Sequence, residues 1–229
     1  MKHKFSQLDN SYWSVDLSNL DLATEKFLQR HATAGVYQIN GLTFFCPENI
    51  YQPHEFSSTR FMLRGLFSDI NKLGKRVLEI GTGSGAVGIC LASQGFDVTL
   101  TDINPIAVEC TKYNAEINHI NIKAIYSDLF SNINEQYDTI IFNTPLLDKA
   151  IENPLEIICC DPNGELLLRF LNEADNYLLP NGQVCINISN ISNRNAILHG
   201  LKKYYDTIMY SEFYAHNNVW RWLLSAKPL

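Results

Sequence analysis

At 229 residues the chain is long enough for one sizeable α/β domain with a small appendage, and too short for two full domains. Apolar residues at 46% and charged residues at 18% exclude the disordered class. A net charge of −6 disfavours a generic nucleic-acid surface, which needs clustered Lys and Arg, while leaving room for a local basic pocket. Six cysteines, at 46, 90, 110, 159, 160 and 185, form no C-x-x-C and no metal-ligand spacing. The basic start is followed by no apolar signal region, and no run reaches the ~18 apolar residues of a membrane span. The expectation is a cytoplasmic protein with buried free thiols, without disulfides or metal.

Residues 19–31 carry Leu20, Leu22, Ala23, Phe27 and Leu28 near helical spacing, with Asn19 or Asp21 as cap. "VYQINGLTFFC" (36–46) reads as a hairpin around Asn40–Gly41. After the loop-like "PENIYQPHEF", residues 57–73 read as an amphipathic helix stopped by Gly74. From Lys75 strands and helices alternate. Strands are predicted at 76–80, 97–102, 122–128, 137–142 and 183–189. Between them fall the helical runs "AVGICLASQ", "NPIAVECTKYNAEIN" and 164–179, the last ended by "PNG". "NRNAILHGLKKY" is helical, and two β-like runs, "YDTIMYSEF" and "VWRWLLSAK", close the chain. This order predicts a doubly wound, mostly parallel sheet with right-handed crossovers. The short link "YAHNN" makes the last strand antiparallel.

"EIGTGSGAVG" (79–88) is a glycine loop between the first of these strands and its helix. Alone it fits a tight turn, and Gly83-x-Gly85-x-x-Gly88 even satisfies a dinucleotide fingerprint. Three acids discriminate. Glu79, Asp102 and Asp128 end successive strands. A carboxylate at Glu79 repels a pyrophosphate but accepts from an ammonium group. Asp102 is spaced to accept from ribose hydroxyls, and Asp128 from an adenine amino group with Leu129 N–H beside it. The set fits a cationic, phosphate-free nucleoside, S-adenosylmethionine.

In "VLEIGTGSGAVGICLA", "LTDINPIAVECTKYNAEIN", "SDLF" and "LLPNGQVCINIS" the chain resembles the class I S-adenosylmethionine-dependent methyltransferases over about 75–225. The resemblance implies a seven-stranded sheet of order 3-2-1-4-5-7-6 with strand 7 antiparallel. It implies a cofactor held by Glu79, Gly81, Thr82, Gly83, Gly85, Asp102, Ile103, Asn104, Asp128, Leu129 and Asn143. "FNTPLL" (142–147) stands where the HemK-like branch carries Asn-Pro-Pro and an aromatic. By that likeness Asn143 and the carbonyl of Thr144 accept from a target nitrogen, with Pro145 fixing the turn. Thr144 replaces the first Pro, and Leu146 the aromatic. These departures disfavour a flipped nucleobase and the glutamine amide. The same letters also suit a decayed site or a turn whose Asn merely caps the strand.

The Pro53…Thr59 stretch loosely resembles the segment covering the cofactor in HemK-like enzymes, or it is a connecting loop. As a cover, it offers Tyr51 or Phe56 as the aromatic that Leu146 lacks. The reading is a methyltransferase domain over 61–229, with residues 1–60 shaping substrate entry. The reaction is direct in-line transfer to a nitrogen, or oxygen, of a small molecule or protein side chain. Alternatives are a catalytically silent cofactor-binding protein and, further off, a nucleic-acid base methyltransferase or a nicotinamide oxidoreductase.

Overall fold

The computed structural model describes residues 4–13, 15, 20–215 and 217–229, without the side chains of Ser6 and Leu20. The predicted cap Asn19 lies outside them. Helix α1 (Leu20–His31) is followed by a hairpin, β1 (Gly35–Ile39) and β2 (Leu42–Cys46). Its turn takes positive φ at both Asn40 (51°) and Gly41 (80°), the geometry that matches strand twist in two-residue hairpins. Asn114 and Asn118, one helical turn apart on α4 (Pro105–Ile117) and its cap, bind the free edge of β2. Each carboxamide accepts a backbone N–H and donates to the carbonyl of the same residue: Asn114 with Phe45, Asn118 with Thr43. Four helical residues rise about 6 Å, close to two residues of strand, so the two amides keep register with the hairpin.

The main sheet comprises β3 (Arg76–Ile80), β4 (Asp97–Asp102), β5 (Lys123–Tyr126), β6 (Tyr137–Asn143), β7 (Leu178–Ser189), β8 (Tyr204–Tyr214) and β9 (Val219–Pro228). Its order is β5-β4-β3-β6-β7-β9-β8. Strands β5 to β7 pair in parallel, and β9 runs antiparallel to both β7 and β8. This is the expected order, with the last strand in sequence reversed. Central strands bury both faces, as parallel sheets must. Leu78, Ile80, Ile140, Phe142, Val184 and Ile186 pack on one side with Phe170 and Leu171 of α5 (Glu165–Glu173) and Ile197 of α6 (Arg194–Gly200). On the other, Val77, Ile141, Cys185 and Leu223 meet α2 (Ser58–Ser68) and α3 (Ala86–Ala92). All six cysteines are buried free thiols. Among the described residues no helix is long and apolar enough to cross a membrane.

Several helices are shorter than their periodicity predicts; "NRNAILHGLKKY" stops at Gly200 and continues as a 3-10 turn, Leu201–Lys203, and two others change more. The 57–73 run stops at Ser68 and continues as a 3-10 turn, Ile70–Lys72. The 164–179 run stops at Glu173, becomes a 3-10 turn over Ala174–Tyr177, and enters β7 at Leu178. Pro180–Asn181–Gly182 is therefore not a helix stop but a bulge near the start of β7, between the pairs Tyr137–Leu178 and Thr139–Gln183, with Asn181 at φ 67°. Pairing with β6 outbids local helical preference there.

Gly88, in the first turn of α3, lies flat against β3 and β4. A methyl group there would sit 2.4 Å from Leu100 and 2.7 Å from the Glu79 carboxylate. Gly88→Ala is expected to cost about 1–3 kcal/mol, measured as a lower urea midpoint at unchanged slope.

Candidate active site

At the carboxyl edge of the parallel strands a cavity of about 260 Å³ opens where β3, β4, β5 and β6 end. Doubly wound sheets place ligands there because helix N-termini and strand ends leave a crevice. Of the sequence-predicted residues, Glu79, Gly81, Thr82, Gly83, Asp102, Ile103, Asn104, Asp128, Leu129, Asn143, Thr144, Pro145 and Tyr51 all line it. Gly85 does not. It is the left-handed cap of α3 (φ 79°), and a Cβ there would strike Ile89 at 2.8 Å, so it shapes the turn from behind. Phe56 stands outside, 70% exposed, with its carbonyl accepting from Arg221 Nη1. Leu146 faces a separate small crevice beside Asp161 and Asn193.

The acids are held differently. Glu79 is buried and accepts from Thr82 Oγ1 (2.9 Å) and Gly88 N–H (2.8 Å) through one oxygen. Asp102 accepts from Gly83 N–H (2.8 Å) and Asn104 N–H (2.9 Å), while Asn104 caps α4 through Ile106 N–H. Asp128 follows β5 in a tight turn and pairs with Arg169 of α5 (3.0 Å). Burial pushes the Glu79 carboxyl up to about 8 against the two hydrogen bonds, with nearby Asp102 adding to the rise. Asp102 is also raised, by burial, with the N–H donors of Asn104, Gly83 and Ile103 opposing.

Asn143 ends β6 with Asn187 of β7 directly beside it in register. Asn187 is fully buried and donates Nδ2–H to Asn143 Oδ1 at 2.9 Å. Thr144 Oγ1 donates to the Asn187 carbonyl at 2.6 Å, a bond that a second Pro would not make. Asn143 Nδ2 lies 3.5 Å from Thr59 Oγ1. A carboxamide oxygen has two lone pairs, so Oδ1 keeps one beyond the Asn187 bond. Ile157, Ile158, Leu166 and Arg169 also line the cavity and were not foreseen, while Thr59 lines it from the stretch read as a possible cover. The two isoleucines ride on a 3-10 turn, Pro154–Ile158, closed by a capping box between Asn153 and Glu156. "NPLE" was a readable signal for that turn. Backbone bonds between Leu147 and both Cys159 and Asp161 fold it back over the cavity. Tyr51 packs on Phe27 and His31 and takes the Ser58 hydroxyl and N–H at its own OH.

A family model, the methyltransferase small domain, matches residues 42–215. The chain belongs to that family. It is 34% identical over 174 residues, 73% of this chain and 86% of the relative, to a putative protein N5-glutamine methyltransferase of Methanocaldococcus jannaschii. A release factor glutamine methyltransferase of Lactococcus lactis is 29% identical over 57% of this chain, which spans only 53% of that relative. Among solved structures, a 16S rRNA N2 G1207 methyltransferase of T. Thermophilus superposes with a TM-score of 0.66. It covers 85% of this chain and 50% of its own, at 19% identity, and so bears on the fold alone. This methyltransferase is an S-adenosylmethionine-dependent enzyme.

The cavity fits that cofactor. Two carboxyls, the buried Glu79 and the partly buried Asp102, both pushed upward by burial, line a wall that a cationic ligand relieves and a pyrophosphate would aggravate. The methyltransferase carries this cost when empty, which makes it measurable. An acid whose folded value stands above its unfolded 4.5 contributes stability fully below 4.5 and loses it as pH rises through about 8. Burial lowers His31 and His54, whose slope is opposite, so the informative quantity is a difference. Without ligand, Glu79→Gln is expected to melt progressively above the wild type between pH 5 and 8, by on the order of 10 °C at the upper end. A pH-independent difference in thermal unfolding would contradict the buried-acid account.

Proposed function

We propose that the methyltransferase moves a methyl group by direct in-line displacement to a nitrogen of a protein side chain or small molecule, with Asn143 orienting the acceptor. The observation carrying this is that Asn143 and the glycine loop line one cavity, so acceptor and methyl donor meet across it. In this reading Asp102 receives the ribose hydroxyls, Asp128 and Leu129 N–H take the adenine edge, and the Glu79 wall faces the cationic end. Gly81, Thr82, Gly83, Ile103 and Asn104 complete the seat, and Gly85 acts only through the turn. Bound there, the cofactor supplies an already activated methyl. What falls to the chain is to seat, orient and exclude water.

Asn143 Oδ1 and the Thr144 carbonyl accept N–H bonds from the target nitrogen and so turn its lone pair toward the methyl. Pro145 stiffens that turn. Tyr51, Ile157 and Ile158 form the apolar walls of the acceptor end. We assign the 50–60 stretch, whose Ile50, Tyr51, Ser58 and Thr59 line the cavity, the roof of substrate entry, in which Tyr51 takes the part of an aromatic platform and Phe56 and Leu146 take none.

Thr144 and Leu146 count against a glutamine amide, but the glutamine-methylating relatives weigh more and favour a protein side-chain amide as acceptor. Leu146 turning away from the cavity disfavours stacking on a nucleobase at that position. Labelled S-adenosylmethionine incubated with a native-host extract, then fractionated into protein, RNA, DNA and small molecules, tests the proposal. Label in protein or small molecules, absent with Asn143→Ala, is the expected result. Label in RNA or DNA would overturn the acceptor class. No label with intact cofactor binding would favour the silent binding protein.

A further inference from the structure

We propose that Arg169 is a positioning residue of the cofactor site, fixing the Asp128 carboxylate as acceptor for the purine amino group. The inference rests on the cofactor placement proposed above. Three carboxylates line the cavity, and two are held by backbone donors of their own neighbourhood. Glu79 takes the Gly88 N–H, and Asp102 takes those of Gly83 and Asn104. Asp128 is built otherwise. Its turn is rigid: Ser127 Oγ donates to the Leu129 carbonyl (2.8 Å), Ser131 N–H to the Asp128 carbonyl (3.0 Å), and Asp128 N–H to Ser131 Oγ (3.1 Å). Leu129 is held at φ 47°, in the left-handed region.

Those bonds fix the backbone and leave the carboxylate to be placed by something else. That group is the guanidinium of Arg169, 41 residues on, with Nη2 3.0 Å from Oδ2. Both residues line the cavity, and Leu166, one turn earlier on α5, lines it too, so one face of α5 forms the outer wall of this end. The ion pair is half-exposed, with side-chain exposures of 52% and 44%, so its contribution to folding is small. Its effect is geometric: one carboxylate oxygen bonds Arg169, and the rotamer this selects fixes where the second points.

The test is a double-mutant cycle read by calorimetric binding of S-adenosylhomocysteine, which needs no acceptor. Arg169→Ala is expected to weaken binding about fivefold, Arg169→Lys to restore part of the loss, and the effect to vanish in an Asp128→Ala background. Unchanged affinity in Arg169→Ala, or an equal loss in both backgrounds, would overturn the positioning role, since Arg169 would then act on nothing or on the ligand directly. If Asp128→Ala alone binds like wild type, the fault lies in the cofactor placement instead, and the inference falls with it. Thermal unfolding of each variant, at a half-exposed position, separates binding loss from unfolding.

Discussion

Asn143→Ala should lower methyl transfer on the order of 100-fold while S-adenosylhomocysteine binding stays within about threefold. The split follows from position. Asn143 lines the cavity from the end of β6, and its carboxamide oxygen is the group proposed to orient the acceptor's lone pair. Loss of orientation reaches turnover and leaves the seat of the nucleoside intact. The variant should also unfold more readily, by about 1–3 kcal/mol, because the buried Asn187 Nδ2 loses its acceptor. Steady-state kinetics on the acceptor found in the labelled extract, beside calorimetry, decide the matter. A parallel loss of both quantities would move Asn143 into the cofactor seat, and full activity would leave it a strand cap.

Asp102→Ala is the complementary case. The carboxylate ends β4, is mostly buried, and ties the glycine loop to the start of α4 through two backbone N–H groups. Removing it deletes the proposed ribose acceptor, a charged hydrogen-bonding group of about 1.5–3 kcal/mol per bond, and frees the loop carrying Gly83. Cofactor affinity should fall at least about 100-fold. Asp102→Asn keeps the shape but offers one acceptor oxygen, and should fall between. Affinity within about threefold of wild type in the alanine variant would place the ribose elsewhere.

Much of the cavity's lining was legible in the sequence because it is local. Glycines following a strand and acids at strand ends report their own place, since parallel strands bring their carboxyl ends to one edge. The hairpin was legible for the same reason, Asn40–Gly41 being a turn that few other pairs adopt. Long-range competition defeated the rest. The helical pattern beyond Glu173 gave way to pairing with β6, which no periodicity reports. Phe56 has the right chemistry and points the wrong way, and Leu146 falls one step past the turn that faces the cavity. Arg169 left no trace because its partner, Asp128, lies 41 residues away on another element.

The two carboxamides of α4 that grip the edge of β2 bear on how the enzyme is sealed. The same helix begins at Asn104, beside Asp102, and the strand it grips leads through Cys46 and Pro47 to Ile50 and Tyr51 in the cavity wall. The end of β4 and the Ile50–Tyr51 stretch of the cavity wall are thus linked through one helix, with Asn114 and Asn118 as its couplings. In the proposed placement, a cofactor against Asp102 and a substrate against Tyr51 share α4 as a common support.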